Sequence, residues 1–201
     1  MSQELFPPES DGGDSLVASL RLALTPGVGP VTRKALLERF GSAEAVLAAP
    51  PSQLREVPGV GVKLARQIVA ANDEIDADKE LQLCREHGVT ILADTDSAYP
   101  RLLREIHNPP AFLFVHGELK PEDALAVAIV GTRHATSYGR QTAERLAAGL
   151  ARAGLTIVSG LARGIDATAH RAALQAGGRT LAVLGSGVLN VYPPEHGPLA
   201  E

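Results

Sequence analysis

The pattern of apolar and polar residues divides the chain into a helical first part and an alternating second part. Between residues 16 and 71, aliphatic side chains recur three or four positions apart, which is the spacing of one helix face. Two copies of Pro-Gly-Val-Gly, at residues 26–29 and 58–61, each precede a helical pattern. The segments predicted to build this helical part are residues 16–24, 30–40, 43–54 and 62–71.

A polar, acidic stretch at residues 72–79 separates the helical part from the rest and predicts a domain boundary, with Asp73 or Asp76 as a helix cap. The next short β-branched or apolar runs, at residues 89–92 and 111–115, predict two strands. These strands are expected to extend the edge of the sheet that follows them.

Three apolar runs and two helical patterns alternate in the last part of the chain. The first run has no alternating polar residues, as expected for a strand buried on both faces of a parallel sheet. Short glycine-bearing loops connect the elements, and such connections require right-handed crossovers. The order predicts a Rossmann-like, doubly wound, mainly parallel sheet. The strands are predicted at residues 124–130, 155–158 and 179–184, and the helices at residues 137–153, capped by Ser137, and 167–176.

The predicted organisation is therefore an α/β chain in three parts. Residues 1–14 are acidic and rich in proline and glycine, and we expect them to form a disordered tail. Residues 15–72 are expected to form a small all-α domain, and residues 73–201 an extended Rossmann-like domain.

The repeated Pro-Gly-Val-Gly sequence resembles the hairpins of tandem helix-hairpin-helix (SAM-like) domains. Its glycines permit a sharp turn and bring the N–H groups of the next helix to the surface, where a DNA phosphate can bind. Lys34 and Lys63 follow within about one turn. Many such modules serve instead as protein contacts or structural caps, and Glu38, Glu44 and Glu56 reduce the positive field. DNA contact and a structural role both stay open for this domain.

Glycine loops follow all three predicted strands of the parallel sheet. They begin at Gly131, Ser159 and Gly185, at the carboxyl ends of the strands, where ligands bind in doubly wound sheets. Arg133 and Arg163 add planar cations suited to bidentate phosphate contact. Two arginines and several backbone N–H groups on one rim favour phosphate recognition.

The loop from Ser159 to Asp166 admits three interpretations. It opens a helix, whose first N–H groups and macrodipole favour a bound phosphate. In a plain turn, its glycines would only relieve steric strain and Asp166 would only cap the helix. Ser159, Asp166 and His170 also suggest a nucleophile with a base, but the Gly-x-Ser-x-Gly pattern is absent. No catalytic residue is therefore expected.

Composition excludes several other classes of function. Cys84 is the single cysteine, which argues against disulfides. His134, His170 and His196 lack paired carboxylates, so no metal site is expected. Residues 185–190 match the dinucleotide fingerprint only in its first two glycines, so no nicotinamide cofactor is expected. No window approaches the roughly 18 apolar residues of a membrane span, and we expect a cytoplasmic protein without a membrane partner.

Charge is distributed unevenly along the chain. The net charge is −4, but residues 131–201 hold seven arginines against four acidic residues, so the first 130 residues carry −7. This asymmetry indicates an anionic partner for the second part. Aromatic residues make up only 3% of the chain, so base stacking would rest on Tyr138 and Tyr192. Binding of a nucleic acid should then be dominated by its phosphates, with a steep salt dependence.

Three motifs follow one another in the second part of the chain. They are Ala-Ile-Val-Gly-Thr-Arg at residues 128–133, Ser-Gly-Leu-Ala-Arg-Gly-Ile-Asp at 159–166 with Ala169-His170, and Ala-Val-Leu-Gly-Ser-Gly at 182–187 with Tyr192-Pro193. Together they resemble the DprA/Smf family, the DNA-processing proteins of bacterial natural transformation, over residues 16–201. The resemblance implies a non-enzymatic protein that binds single-stranded DNA, protects incoming DNA, forms homodimers and loads RecA.

Carried over by position, the resemblance implies a DNA-binding rim made of the three loops. Arg133 and Arg163 are expected to clamp phosphates, with backbone donors from the residues around them. The expected DNA-binding residues are Gly131, Thr132, Arg133, Ser159, Gly160, Arg163, Gly164, Gly185, Ser186 and Gly187, and the candidates for additional contacts are Arg140, His170, Arg179, Lys34 and Lys63.

Two positions depart from the family pattern and leave the role of the third loop open. Leu189 stands where the family usually has aspartate, and His196 where it usually has asparagine. Family members carry more of the Rossmann-like domain beyond Tyr192-Pro193, often with a winged-helix domain after it, so we expect this chain to be an N-terminal portion. The residues alone also allow a Rossmann-like nucleotide-binding or nucleotide-processing protein, or an interaction scaffold.

Overall fold

The computed structural model describes residues 16–201, so the predicted disordered tail, residues 1–14, lies outside the described residues. The chain divides into two compact units, of which the first extends to Gly117 and the second spans Glu118–Glu201. The domain bounds given above stay a prediction. Among residues 16–201, no helix combines the length and the apolar character needed to cross a membrane.

Six helices open the first unit, and the first five share one apolar core. Leu22, Leu36, Val46 and Ile68 are fully buried in this core. The predicted segment at residues 43–54 forms two short helices, because the Pro50-Pro51 pair holds the backbone extended between them. The helices are α1 (Leu16–Leu24), α2 (Pro30–Phe40), α3 (Ala43–Ala48), α4 (Pro51–Leu54), α5 (Val62–Glu74) and α6 (Ala77–Glu86).

The Pro-Gly-Val-Gly sequence repeat is also a structural repeat. Gly27 and Gly59 have φ angles of +88° and +86°, in the region that favours glycine. Gly29 and Gly61 are the extended N-cap residues of α2 and α5, with φ angles of −88° and −83°. The same four residues therefore build the same turn twice, and each turn leads into a helix that has no side-chain cap.

Two strands complete the first unit. Strand β1 (Val89–Ala93) pairs antiparallel with β2 (Phe112–His116), and the short helix α7 (Arg101–Arg104) lies between them in the chain. Among the described residues these strands form their own two-stranded sheet, so the expectation that they extend the parallel sheet is wrong. The connection contains only one helical turn, and the hydrogen bond from the Tyr99 hydroxyl to the Pro110 carbonyl (2.8 Å) holds it together, so the chain returns antiparallel.

The second unit has the predicted alternation of strands and helices. Its strands pair in the order β3-β4-β5, all parallel, which confirms the Rossmann-like arrangement. The cap of its first helix is Thr136, whose hydroxyl accepts from the Gly139 N–H (3.1 Å), and the predicted cap Ser137 is the first helical residue. The elements are β3 (Ala126–Ala128), α8 (Ser137–Arg152), β4 (Thr156–Ser159), α9 (Ile165–Gln175), β5 (Thr180–Ala182) and α10 (Gly197–Ala200).

Both long helices of the second unit pack on the same face of the sheet. Right-handed crossovers between successive neighbouring strands all lie on one side, so α8 and α9 are adjacent. Ala151 of α8 and Ala169 of α9 pack with Ile157 of β4 in one buried cluster. Beyond the ends of β3 and β5, Val130 and Val183 are 70% and 66% exposed. Within β3 itself Ala126 and Ala128 are exposed, so the prediction that the first strand is buried on both faces is wrong for this chain.

Candidate nucleic-acid interface

The three glycine loops lie side by side at one edge of the second unit. Because β3, β4 and β5 are parallel and paired in register, their carboxyl ends face the same way. The second loop touches the first, since a Cβ atom placed on Gly164 would collide with the carbonyl oxygen of Thr132. The third loop starts beside the second, where the Val183 N–H donates to the Ser159 carbonyl (2.9 Å). The single rim predicted from the loop positions is therefore present.

A buried carboxylate, Asp166, connects two of these loops. Its Oδ1 accepts from the Gly131 N–H (3.3 Å) and its Oδ2 from the Gly160 N–H (3.1 Å). One side chain of α9 thus bonds the loop after β3 to the loop after β4. The N-cap of α9 is Gly164, so Asp166 lies within the first turn and is not the cap that a plain turn would require.

The bonds of Asp166 change which groups are free to bind a phosphate. The N–H groups of Gly131 and Gly160, expected as DNA donors, already bind the carboxylate. The Ser159 hydroxyl is buried and donates to the Ile129 carbonyl (2.6 Å), which ties β4 to the end of β3. Gly131, Gly160 and Ser159 therefore stabilise the rim through hydrogen bonds within the protein.

The first N–H groups of α9 are also bound within the protein. The Ile165 N–H donates to the Thr132 carbonyl (3.3 Å), and the Ala167 N–H donates to the Ala162 carbonyl (3.0 Å). Together with Asp166, these bonds satisfy much of the helix N-terminus that the sequence offers as a phosphate site. The sequence of a glycine loop before a helix therefore does not reveal whether the loop binds a carboxylate of the protein or a phosphate.

Arg133 and Arg163 supply the cations of the rim, and both side chains are exposed. The Arg163 Nε donates to Glu195 Oε1 at 2.6 Å, and the guanidinium carbon lies 5.9 Å from the centre of the Tyr192 ring. This hydrogen bond, with a smaller contribution from Tyr192, raises the pKa of Arg163. The same hydrogen bond lowers the pKa of Glu195. Within residues 16–201 Arg133 has no ion-pair partner. The two cations are therefore not equivalent.

The third loop offers exposed backbone. Gly185, Ser186 and Gly187 are all exposed, and Gly187 has a φ angle of +87°. A Cβ atom on Gly185 or Gly187 would have no protein atom within 4 Å, so the space around this turn is open. In the first loop, Thr132 is exposed as well, and its hydroxyl accepts from the His134 N–H (3.2 Å).

Two arginines predicted as additional contacts lie in different places. Arg140 is exposed in the first turn of α8, close to the first loop, and donates to the Ala135 carbonyl (2.5 Å). Arg179 precedes β5 and so lies at the amino ends of the strands, away from the rim. It binds both carboxylate oxygens of Asp123, at 2.6 and 2.8 Å. Burial raises the pKa of Asp123, but bonds from Arg179, the Lys120 N–H and Thr156 outweigh it, so the pKa is lowered.

The two predicted lysine contacts belong to the first unit. Lys34 is exposed on α2 and lies 3.9 Å from Glu38, one turn further along. Lys63, at the start of α5, lines a shallow cleft between the two hairpins with Pro26, Gly27 and Gln67. Each lysine therefore lies just after one of the two equivalent turns.

His170 is buried, with 1% of its surface exposed, so its expected contact with DNA has no access. Its Nδ1 lies 2.6 Å from the Thr180 hydroxyl, which itself donates to the Ile157 carbonyl. This pattern assigns the ring proton to Nδ1, and Nε2 has no hydrogen-bond partner within the described part of the chain. Burial lowers the pKa of His170, and nearby His196 adds to the effect, while Asp166 and the Ser159 backbone oppose it.

We expect His170 to make the protein less stable in mild acid. Because its pKa is lowered by folding, the unfolded chain binds more protons, so its contribution is complete above pH about 6.5 and is lost as the pH falls below that value. The loss has a slope of up to about 1.4 kcal/mol per pH unit. Urea unfolding at about pH 7.5 and about pH 5.5 measures it. His170→Asn keeps a donor for Thr180 without titrating and should lose less stability between the two pH values. An equal loss in both proteins would contradict this assignment.

Glu195 and His196 make contacts with the second loop that were not predicted. His196 is buried, and its Nδ1 lies 2.7 Å from the Leu161 carbonyl. Leu161 has a φ angle of +58°, which is rare for a residue other than glycine. The only local signal was the Tyr192-Pro193 motif beside them.

Comparison with known proteins shows two matching families. The family described as DNA recombination-mediator protein A matches residues 90–201, and the SAM-like helix-hairpin-helix tandem matches residues 19–72. Protein Smf from Synechocystis sp. is 39% identical over 179 residues, which cover 87% of this chain and 45% of that protein. DNA processing protein DprA from Bacillus subtilis is 40% identical over 118 residues, which cover 58% of this chain and 40% of that protein.

A solved structure supports the same assignment. The structure of DNA processing protein A (DprA) from Streptococcus pneumoniae matches 92% of this chain and 62% of its own chain, with a TM-score of 0.66 and 29% identity. This chain thus spans less than half the length of the two relatives named above. The matches confirm the family resemblance that the three motifs indicated. They also confirm that an all-α domain precedes a Rossmann-like fold. The chain therefore belongs to the DprA/Smf family of DNA recombination-mediator proteins.

Proposed function

We propose that this chain binds single-stranded DNA through its loop rim, as the DNA-binding part of a cytoplasmic recombination mediator of natural transformation. The observation that carries the proposal is the pair of exposed arginines, Arg133 and Arg163, on one rim beside the open Gly185–Gly187 turn. Family membership extends the proposal to protection of incoming DNA and to RecA and a second copy of the complete protein as partners.

The rim also carries groups suited to unpaired bases. Tyr138 lies in the first turn of α8 and is 75% exposed, and Tyr192 lies beside Arg163 and is 54% exposed. Single-stranded nucleic acids bind where cations meet the phosphates and aromatic rings stack on the bases. Two tyrosines provide little stacking surface, so the phosphates should dominate the affinity.

A non-enzymatic role agrees with the contacts of the polar residues around the second loop. The Ser159 hydroxyl donates to a backbone carbonyl, and the protonated nitrogen of His170 faces Thr180. A nucleophile and its base would need to bond to each other and reach a substrate. Both residues are instead buried and bound to other groups. A mononucleotide site at the start of α9 is less well supported, because Asp166 already binds the Gly131 and Gly160 N–H groups.

Replacing Arg133 and Arg163 together with alanine should weaken binding of a fluorescein-labelled oligothymidylate by about tenfold or more, measured by fluorescence anisotropy. The plot of log affinity against log salt should also flatten, by about 0.7 for each phosphate that the variant no longer binds. Arg145→Ala with Arg152→Ala is the matched control, because it removes the same charge from exposed positions further along α8. Unchanged affinity in the rim variant, or an equal loss in the control, would contradict the proposed function.

A further inference from the structure

The segment from Tyr192 to His196 lies against the loop that carries Arg163. Three contacts hold it there: the Tyr192 ring near the Arg163 guanidinium, the Glu195 carboxylate on the Arg163 Nε, and the His196 ring on the Leu161 carbonyl. The last of these is buried, whereas the side chains of Arg163 and Glu195 are 50% and 52% exposed. The segment is therefore fixed at His196, and Glu195 lies at the solvent edge of the contact.

The Glu195 carboxylate binds Arg163 through a type of contact that a phosphate oxygen also makes. A carboxylate oxygen 2.6 Å from a guanidinium nitrogen makes the charge-assisted hydrogen bond that arginine also makes to phosphate. The pair is locally neutral, so Arg163 attracts a distant phosphate less than a lone arginine does. Arg133, on the neighbouring loop, has no acidic partner among residues 16–201, so no carboxylate offsets its field.

We propose that Glu195 is an internal competitor for the DNA phosphate at Arg163, so that this subsite is masked until a strand displaces the carboxylate. The proposal rests on the proposed function and adds a regulatory residue to the same rim. In the masked state Arg163 binds Glu195, and Arg133 makes the first phosphate contact. In the bound state a phosphate replaces Glu195, which turns towards solvent.

The local geometry allows this exchange without unfolding the segment. Exposed ion pairs are weak, so a phosphate that is also held by Arg133 can displace the carboxylate. His196 keeps its buried bond to Leu161 in either state, because that bond does not involve Glu195. The side chain of Glu195 needs only to rotate about its own bonds. A change of charge at this position should therefore alter binding and leave the fold intact.

The test measures oligothymidylate binding by anisotropy over a series of salt concentrations with the full 201-residue chain. Glu195→Gln should bind about two- to fivefold more tightly at low salt, the range expected when one exposed ion pair is removed. Its affinity should also fall more steeply as the salt concentration rises, because salt weakens the Arg163–Glu195 pair that competes with DNA in the wild type only. Both differences should disappear in the double variant with Arg163→Ala. Glu144→Gln, at an exposed position on α8, controls for the general loss of a negative charge.

The possible outcomes distinguish a failure of the masking at Arg163 from a failure of DNA binding by the rim. If Arg133→Ala weakens binding but Glu195→Gln equals the wild type in affinity and slope, the masking is wrong and the DNA-binding rim stands. If the gain of Glu195→Gln persists without Arg163, or Glu144→Gln shows the same gain, the effect is one of net charge and the masking is again wrong. If neither the wild type nor Glu195→Gln binds the oligonucleotide, both proposals fail. Binding by Glu195→Gln alone would support the masking.

Discussion

Asp166→Ala is expected to lower the free energy of unfolding by about 2 kcal/mol, because two partly buried backbone N–H groups lose a carboxylate acceptor, at about 1 kcal/mol each. The carboxylate bonds Gly131 of the first loop and Gly160 of the second, so its removal also separates two parts of the rim. Oligonucleotide binding should therefore fall even under conditions in which the variant is folded. Urea unfolding followed by circular dichroism measures the first effect, and anisotropy measures the second.

Two variants serve as controls for Asp166→Ala. Asp166→Asn keeps one oxygen acceptor but places an NH₂ group against the other backbone N–H, so we expect an intermediate loss of stability. Glu144→Ala removes the same charge from an exposed position on α8 and should change stability by less than about 0.5 kcal/mol. If Asp166→Ala were as stable as Glu144→Ala, the carboxylate would not be what connects the two loops.

Gly164→Ala is expected to be the most destabilising single methyl addition in the second unit, at more than about 3 kcal/mol. Gly164 has a φ angle of +82° and a ψ angle of −121°, a combination that residues with a Cβ atom rarely adopt. The added methyl would also collide with the Thr132 carbonyl oxygen and lie 2.7 Å from that of Arg133. These are backbone atoms and cannot rotate away, so the first loop must move. Oligonucleotide binding should be lost together with stability.

Gly154→Ala is the matched control for this backbone position. Gly154, which follows α8, has a similar φ angle of +87°, but a Cβ atom there would have no neighbour within 4 Å. Its variant measures the conformational cost alone, which we expect to be about 1–2 kcal/mol by urea unfolding. If the two variants lost the same stability, the close approach of the first and second loops would not limit residue 164.

The sequence by itself determined the elements of this protein and the end of the sheet at which the glycine loops meet. Helix α2 begins and ends at the predicted residues and α1 ends at Leu24 as predicted, because helical spacing and the glycines and prolines beside these ends are local signals. The repeated Pro-Gly-Val-Gly turn also follows from local sequence signals. The common rim followed from chain direction, since parallel strands joined by right-handed crossovers place all their carboxyl ends together.

Only the tertiary structure decided which polar groups on that rim bind each other. Asp166 reaches Gly131, 35 residues away in the chain, and Glu195 reaches Arg163 across 32 residues. Nothing local in the sequence encodes such partners, because they depend on where separate loops come to lie in space. For the same reason β1 pairs with β2 and not with the parallel sheet, and Arg179 binds Asp123 away from the rim. Which of the two rim arginines pairs with a carboxylate is thus a property of the folded chain.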